Sequence, residues 1–212
     1  MGATVVTVAQ QKGGAGKTTL AAHLAVAWTA LGKRVAVLDI DPQQSLTMWY
    51  RLRAETIGDA GAGLLGNSVQ GWRVAGEVER LARAHDIVLV DSPPHAETEA
   101  RAAIRAAHLA LVPVQPSPMD VWATKPTLEL ARAERIRAVA VLNRVPPRAR
   151  LTERMRTALA DTGAHIAETS IGNRVALASA LAEGRAVGER QPRSRATTEI
   201  RALAEELLEL AS

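Results

Sequence analysis

Short, continuous apolar runs alternate along this chain of 212 residues with longer stretches in which apolar positions recur every three or four residues. The runs Thr4–Ala9, Arg34–Asp39, Ile87–Asp91, Leu109–Val114, Ala138–Asn143 and His165–Thr169 read as strands. The helical period covers Thr18–Leu31, Leu46–Ala54, Gly76–Ala84, Glu97–Ala106, Val121–Ala133, Leu151–Thr162, Val175–Glu183 and Thr197–Leu210. The strands are rich in Val, Ile and Leu and show little inside–outside alternation, which implies burial on both faces. Strand–helix alternation then predicts right-handed crossovers in a mostly parallel sheet. The expected fold class is α/β: a doubly wound sheet flanked by helices on both faces, in a single domain spanning 1–212. The segment Gly58–Gly71, with Gly58, Gly61, Gly63, Gly66 and Gly71, predicts a surface loop. There is no internal repeat, and no helix-turn-helix pattern precedes the first strand. Ala-rich helices and the lack of Phe predict a core of small, closely packed side chains.

In such sheets ligands bind beyond the carboxyl ends of the strands, and four polar motifs fall there. Between the first strand and the first helix stand Lys12, Gly13, Gly14, Ala15, Gly16, Lys17, Thr18 and Thr19. Glycines let the backbone approach phosphate oxygens, and the amides of such a turn point inward at a helix start. On this reading the loop holds a nucleotide, Lys17 neutralises its β- and γ-phosphates, and the Thr18 hydroxyl serves Mg²⁺. The ordinary pattern GxxxxGK[ST] requires Gly at position 11, where this chain has Gln11, and Lys12 is an additional cation.

The second motif, Leu38-Asp39-Ile40-Asp41-Pro42-Gln43, ends the second strand. Alternation puts Asp39 and Asp41 on one side, where carboxylates can serve metal-bound water and orient an attacking water. A plain Asp-Pro turn is the alternative. Third, Ile87–Asp91 followed by Ser92-Pro93-Pro94 is a buried strand ending in a carboxylate, the arrangement that places Asp91 near Mg²⁺. Fourth, Asn143-Arg144 ends another strand, and an Asn there can pair with an adenine edge or simply occupy a turn.

Composition narrows the picture. Hydrophobic content of 47% and charged content of 23% are those of a soluble globular chain, and no run reaches the length of a membrane helix. With no signal-like N-terminus, a cytoplasmic location is expected. The absence of cysteine excludes disulfides, thiolate metal sites and iron–sulfur clusters. His23, His85, His95, His108 and His165 lack zinc-site spacing and read as structural or surface residues. The formal net charge is +4, and only Lys12, Lys17, Lys33 and Lys125 among the 26 basic residues are lysine. The arginines concentrate after residue 130, which fits either a polyanionic partner or an arginine-rich solvated surface.

Taken together, KGGAGKTT, DIDPQ, VLVDSPP, the stretch PVQPSPMD (113–120) and LNR resemble the ParA/MinD group of deviant Walker A ATPases, over almost the whole chain. The resemblance implies a P-loop NTPase fold, ATP/ADP and Mg²⁺ as ligands, and a nucleotide-sandwich homodimer with ATP that is monomeric with ADP or without nucleotide. It implies that Lys12 reaches across to the partner subunit's phosphates while Lys17 serves its own. It further implies that Asp41 positions the attacking water and that Asp39 and Asp91 stand at the Mg²⁺ shell. Absences sort the group: iron–sulfur carriers need cysteines, bacterial tyrosine kinases need a tyrosine cluster where only Tyr50 is present, and MinD proteins end in a basic amphipathic helix where this tail is acidic. What remains is similar to short ParA-type partition ATPases, with nonspecific DNA and a ParB-like or small centromere-binding adaptor as partners, no membrane anchor, and association with the nucleoid when ATP-bound. Arg174, Arg185, Arg190, Arg193 and Arg195 are the expected DNA-contacting residues. A MinD-like or accessory ATPase acting on a membrane or protein target is the alternative.

Overall fold

The computed structural model describes residues 2–58, 64–94, 97–147 and 150–211. His95, Gly61 and Gly63, singled out above, lie outside them. Among the described residues the strands are β1 (Thr4–Val8), β2 (Val35–Asp39), β3 (Leu64–Ser68), β4 (Ile87–Asp91), β5 (Leu109–Val114), β6 (Arg137–Leu142) and β7 (His165–Ile166). They form one sheet in the order β3-β2-β4-β1-β5-β6-β7, and every pairing is parallel. The helices are α1 (Lys17–Ala30), α2 (Ser45–Ile57), α3 (Val74–Ala82), α4 (Glu97–Arg105), α5 (Pro118–Ala133), α6 (Arg150–Ala160), α7 (Val175–Leu181), α8 (Val187–Arg190) and α9 (Arg195–Leu210).

The sheet is wound on both faces, as expected. Val6, Val8, Val35, Val37, Leu89 and Leu111 pack on one face against α1, α2, α7, α8 and α9. On the other, Val5, Leu38, Val88 and Val90 meet α3, while Val112, Val114 and Leu142 meet α5 and α6. Burial on both sides explains why the central strands lack alternation.

At the centre lies α1, whose Leu20, Ala21, Ala22, Leu24, Ala25 and Trp28 are fully buried. Small Ala residues let α9 lie close, burying Ile200, Leu203, Ala204 and Leu207. Trp28 spends its indole N–H on the Ala204 carbonyl at 2.9 Å, so its large apolar body is buried without an unpaired donor.

The structure departs from the sequence expectation within Gly58–Gly71. Residues Leu64–Ser68 are not loop but the edge strand β3, paired along its length with β2. Its Gly, Asn and Ser are poor strand formers, and Gly66 is there for packing: a Cβ at that position would lie 2.3 Å from the Tyr50 ring. β7 is shorter than expected, two residues, and the short helix α8 was not expected from the periodicity.

The topology sets the site. β1, β2 and β4 are neighbours and in register, so that Asp39 pairs with Asp91 and Asp91 with Val8. The residues following all three strands therefore converge at one edge of the sheet.

Candidate functional site

The glycine-rich loop leaves β1 and winds directly into α1. Gly16 caps that helix with φ 91°, and Gly14 has φ 76°, conformations that cost an L residue strain. At Gly16 a second constraint applies, because a Cβ there would lie 2.5 Å from the Asn143 amide nitrogen. The two lysines of the loop are disposed oppositely. Lys17 is buried and donates from Nζ to the Gln10 carbonyl at 3.0 Å. Burial lowers its pKa, against the opposing pull of Asp91 and Asp41. The Lys12 side chain is 36% exposed at the rim of the loop, with Nζ 2.8 Å from Asp120 Oδ1. Gly13 and Gly14 are exposed, Ala15 is buried, and Thr18 and Thr19 are half-buried.

Thr18 and Asp91 meet: the threonine hydroxyl donates to Asp91 Oδ2 at 2.6 Å. Asp91 Oδ1 is buried and has no hydrogen-bond partner. Burial pushes the Asp91 carboxyl up to about 7, opposed by the Thr18 hydroxyl and reinforced by the nearby Asp39 carboxylate. A buried carboxylate oxygen without a donor, beside a threonine hydroxyl at the foot of a phosphate-type loop, fits a hard divalent cation. Mg²⁺ takes one or two protein oxygens and completes its shell with phosphate and water.

Asp39 is employed differently. Its Oδ1 accepts the Asp41 N–H at 3.0 Å, and its Oδ2 accepts the Thr47 N–H and hydroxyl at 2.9 and 3.0 Å. Its pKa is raised by burial despite these donors. Both oxygens are thus committed to the β2–α2 connection, and Asp39 shapes the loop that presents Asp41. Asp41 is half-buried, accepts the Gln43 N–H at 2.9 Å, and lines a cavity of about 560 Å³ together with Pro42, Gln44, Trp72 and Glu99.

Asn143, expected at an adenine edge, is engaged within the chain. The side chain is buried, donates to the Ala15 carbonyl at 2.8 Å and accepts the Arg144 N–H at 2.9 Å. The amide ties the β6 edge to the phosphate-type loop and keeps one N–H and one oxygen lone pair beyond these two bonds. Arg144 is exposed, with φ 53°.

The five arginines expected at DNA are not equivalent. Arg174 forks onto Glu199 (2.9 and 2.5 Å), Arg195 reaches the same carboxylate at 3.2 Å, and Arg190 pairs with Glu183 at 2.8 Å. Arg185 is half-buried in the field of Glu189, and Arg193 is exposed. Three of the five are therefore paired within the chain, on two carboxylates.

The motif reading also passed over a polar brace on α5. Gln10 donates to the Pro113 carbonyl and Thr124 (3.3 and 3.1 Å), and its Oε1 accepts the Lys12 N–H (3.3 Å) and the Thr127 hydroxyl (3.4 Å). Thr127 in turn accepts the Gln11 N–H at 3.3 Å, and Gln115 donates to the Gly14 carbonyl at 3.0 Å. The available signal was three polar residues, Asp120, Thr124 and Thr127, at helical spacing and facing inward on a helix that also buries Val121, Leu128 and Leu130. Buried polar groups are retained where they are bonded, and here they are bonded to the loop.

Comparison with known proteins agrees with this geometry. The chain is 31% identical over 207 residues to the maintenance of carboxysome distribution protein A of Halothiobacillus neapolitanus, covering 93% of this chain and 92% of that one. It is 32% identical over 236 residues to the chromosome-partitioning ATPase Soj of Thermus thermophilus, covering 96% and 94%. A solved structure of Cyanothece McdA in complex with ATP superposes with a TM-score of 0.79 at 18% identity, over 97% of this chain and 96% of that one, a likeness of fold. Residues 6–187 match the profile of the CobQ/CobB/MinD/ParA nucleotide binding domain.

Proposed function

The chain belongs to the CobQ/CobB/MinD/ParA nucleotide-binding family, and from that premise we propose that it is a ParA-type ATPase that positions or partitions a cargo on DNA. A single domain over residues 1–212 binds ATP, dimerises around it, and holds nonspecific DNA until hydrolysis releases it. The observation that carries this reading is the opposed disposition of the two lysines: Lys17 faces inward at the foot of its own loop while Lys12 stands at the rim. One cation then serves the phosphates of its own subunit and the other those of the partner.

Residues 12–19 cradle the phosphates. Thr18 and Asp91 hold Mg²⁺, which when bound neutralises charge on the phosphate oxygens. Asp39 fixes the loop that presents Asp41, and Asp41 orients the attacking water. Catalysis rests on positioning and charge stabilisation, so intrinsic turnover is slow. The cavity beside Asp41 gives a ParB-like or small centromere-binding adaptor access to complete the site. With ADP the chain is monomeric and leaves the nucleoid for the cytoplasm.

Helix α9 is not offered to an anionic surface. The apolar face of α9 is spent on α1, and Glu205 and Glu209 face solvent, a charge that anionic lipid repels. Among the described residues no helix is long and apolar enough to cross a membrane.

The test is a mobility shift of nonspecific DNA at low salt with and without ATP. ATP should be required, and Lys12→Ala or Gly16→Val should abolish the shift. A wild-type chain that fails to shift DNA with ATP would remove DNA from the proposal. Asp41→Ala should retain ATP binding and dimerisation while hydrolysis slows sharply; normal turnover would show that another group positions the water.

A further inference from the structure

We propose that Asp120 is a latch on Lys12: it holds the lysine within its own subunit and thereby sets the ATP concentration at which the dimer forms. The inference rests on the action of Lys12 across the dimer, as argued above.

Lys12 Nζ lies 2.8 Å from Asp120 Oδ1, and the two side chains are 36% and 10% exposed. The two partners are not equally mobile. Asp120 sits in the first turn of α5, where the helix N-terminus favours a carboxylate. Its other oxygen accepts the Ser117 hydroxyl, and its backbone N–H donates to Ser117 Oγ at 3.2 Å. Pro118 fixes the start of that helix, and Gln115, just before it, is bonded to the Gly14 carbonyl. The carboxylate is therefore anchored without help from Lys12. Lys12 is a long, flexible side chain on a turn, tied through its backbone N–H to Gln10. Of this pair, the cation is the partner that moves.

A lysine paired in cis cannot at the same time neutralise a phosphate on another subunit. Formation of the dimer must exchange the Asp120 carboxylate for phosphate oxygen, once in each subunit. A partly exposed pair is worth a factor of a few, and two are given up per dimer. Removing the latch should lower the nucleotide concentration for half-dimerisation by roughly three- to tenfold.

The experiment measures dimer fraction by light scattering against the concentration of a slowly hydrolysed ATP analogue, for wild type, Asp120→Asn, Asp120→Ala and Asp120→Glu. Asn and Ala should shift the midpoint down by that factor, and Glu should restore it toward wild type. ADP affinity, measured without dimerisation, should be the same in all four. Asp120→Asn keeps the shape and polarity of the helix start, and its thermal unfolding shows whether α5 is intact. A folded Asn variant with an unchanged or higher midpoint overturns the latch while leaving the dimer in place. A wild type that stays monomeric at saturating analogue overturns the dimer and the latch with it.

Discussion

Asp91 offers the sharpest test of the site's electrostatics. It is completely buried, receives one hydrogen bond from Thr18, and has its second oxygen unpartnered. Its carboxyl is raised from an ordinary 3.8 to about 7. The folded chain therefore holds this proton more tightly than the unfolded chain. The favourable contribution is largest at low pH and is lost as pH rises through the folded value. Integrated between about pH 5 and about pH 8, the loss is about 2–3 kcal/mol. Asn has the shape of the protonated acid and no charge to desolvate. The stability of Asp91→Asn relative to wild type should thus rise by about 2–3 kcal/mol between those two pH values. Urea unfolding of both chains at each pH, in buffer containing a chelator and no nucleotide, measures the change. Comparing the chains cancels groups that titrate in both, such as His23, which burial depresses to about 4 and whose contribution runs the opposite way. A gap that stays constant, or narrows toward high pH, would refute the claim that burial of an unpaired charge governs this position. The same variant should lose the Mg²⁺ dependence of ATP binding.

Asn143→Ala removes the donor to Ala15 and should cost about 1–3 kcal/mol in urea unfolding; Asn143→Asp should do no better, because it offers the Ala15 carbonyl an acceptor. Gly16→Ala places a methyl against that same amide at a φ of 91°, and titration with a fluorescent ATP analogue should show loss of binding in a destabilised protein. Arg53 is buried, forks onto Glu189 at 2.8 and 2.7 Å and lies over the Trp49 ring; Arg53→Met should cost about 2–4 kcal/mol by leaving that carboxylate unpaired, and adding Glu189→Gln should recover part of it. On DNA, Arg193→Ala should reduce the logarithmic salt slope by about one, whereas Arg174→Ala, which takes the forked partner from a partly buried Glu199 and leaves it Arg195 and the Gly172 N–H, should lower stability and leave the slope unchanged.

What could be read from the sequence was whatever depended on chain order and burial. The apolar runs located β1, β2, β4, β5 and β6 because burial on both faces leaves no other composition for them. The acids at their ends were visible because a parallel sheet gathers the carboxyl ends of its strands. The role of each acid was not visible, since Asp39 and Asp91 are alike until three donors are found on one and an orphan oxygen on the other. Asn143 could serve an adenine or a carbonyl with the same amide, and its bond to the Ala15 carbonyl appears only once the loop and the β6 edge are brought together. The cis pairing of Arg174 with Glu199 and of Lys12 with Asp120 joins residues far apart in the chain, which composition and periodicity do not report. β3 was lost because its strand character comes from the neighbouring β2 and from a glycine that makes room for Tyr50.

The packing of α9 over α1 also bears on the life of the chain during synthesis. The helix that follows the phosphate-type loop emerges well before α9, the surface that covers it. At about 5–20 residues per second, α1 waits roughly ten to thirty seconds on the ribosome for its cover. Over that interval the indole of Trp28 has no Ala204 carbonyl to meet, and the most apolar helix near the loop lacks its partner. A chain cut before α9 would leave Trp28 and the buried face of α1 uncovered beside the phosphate-type loop.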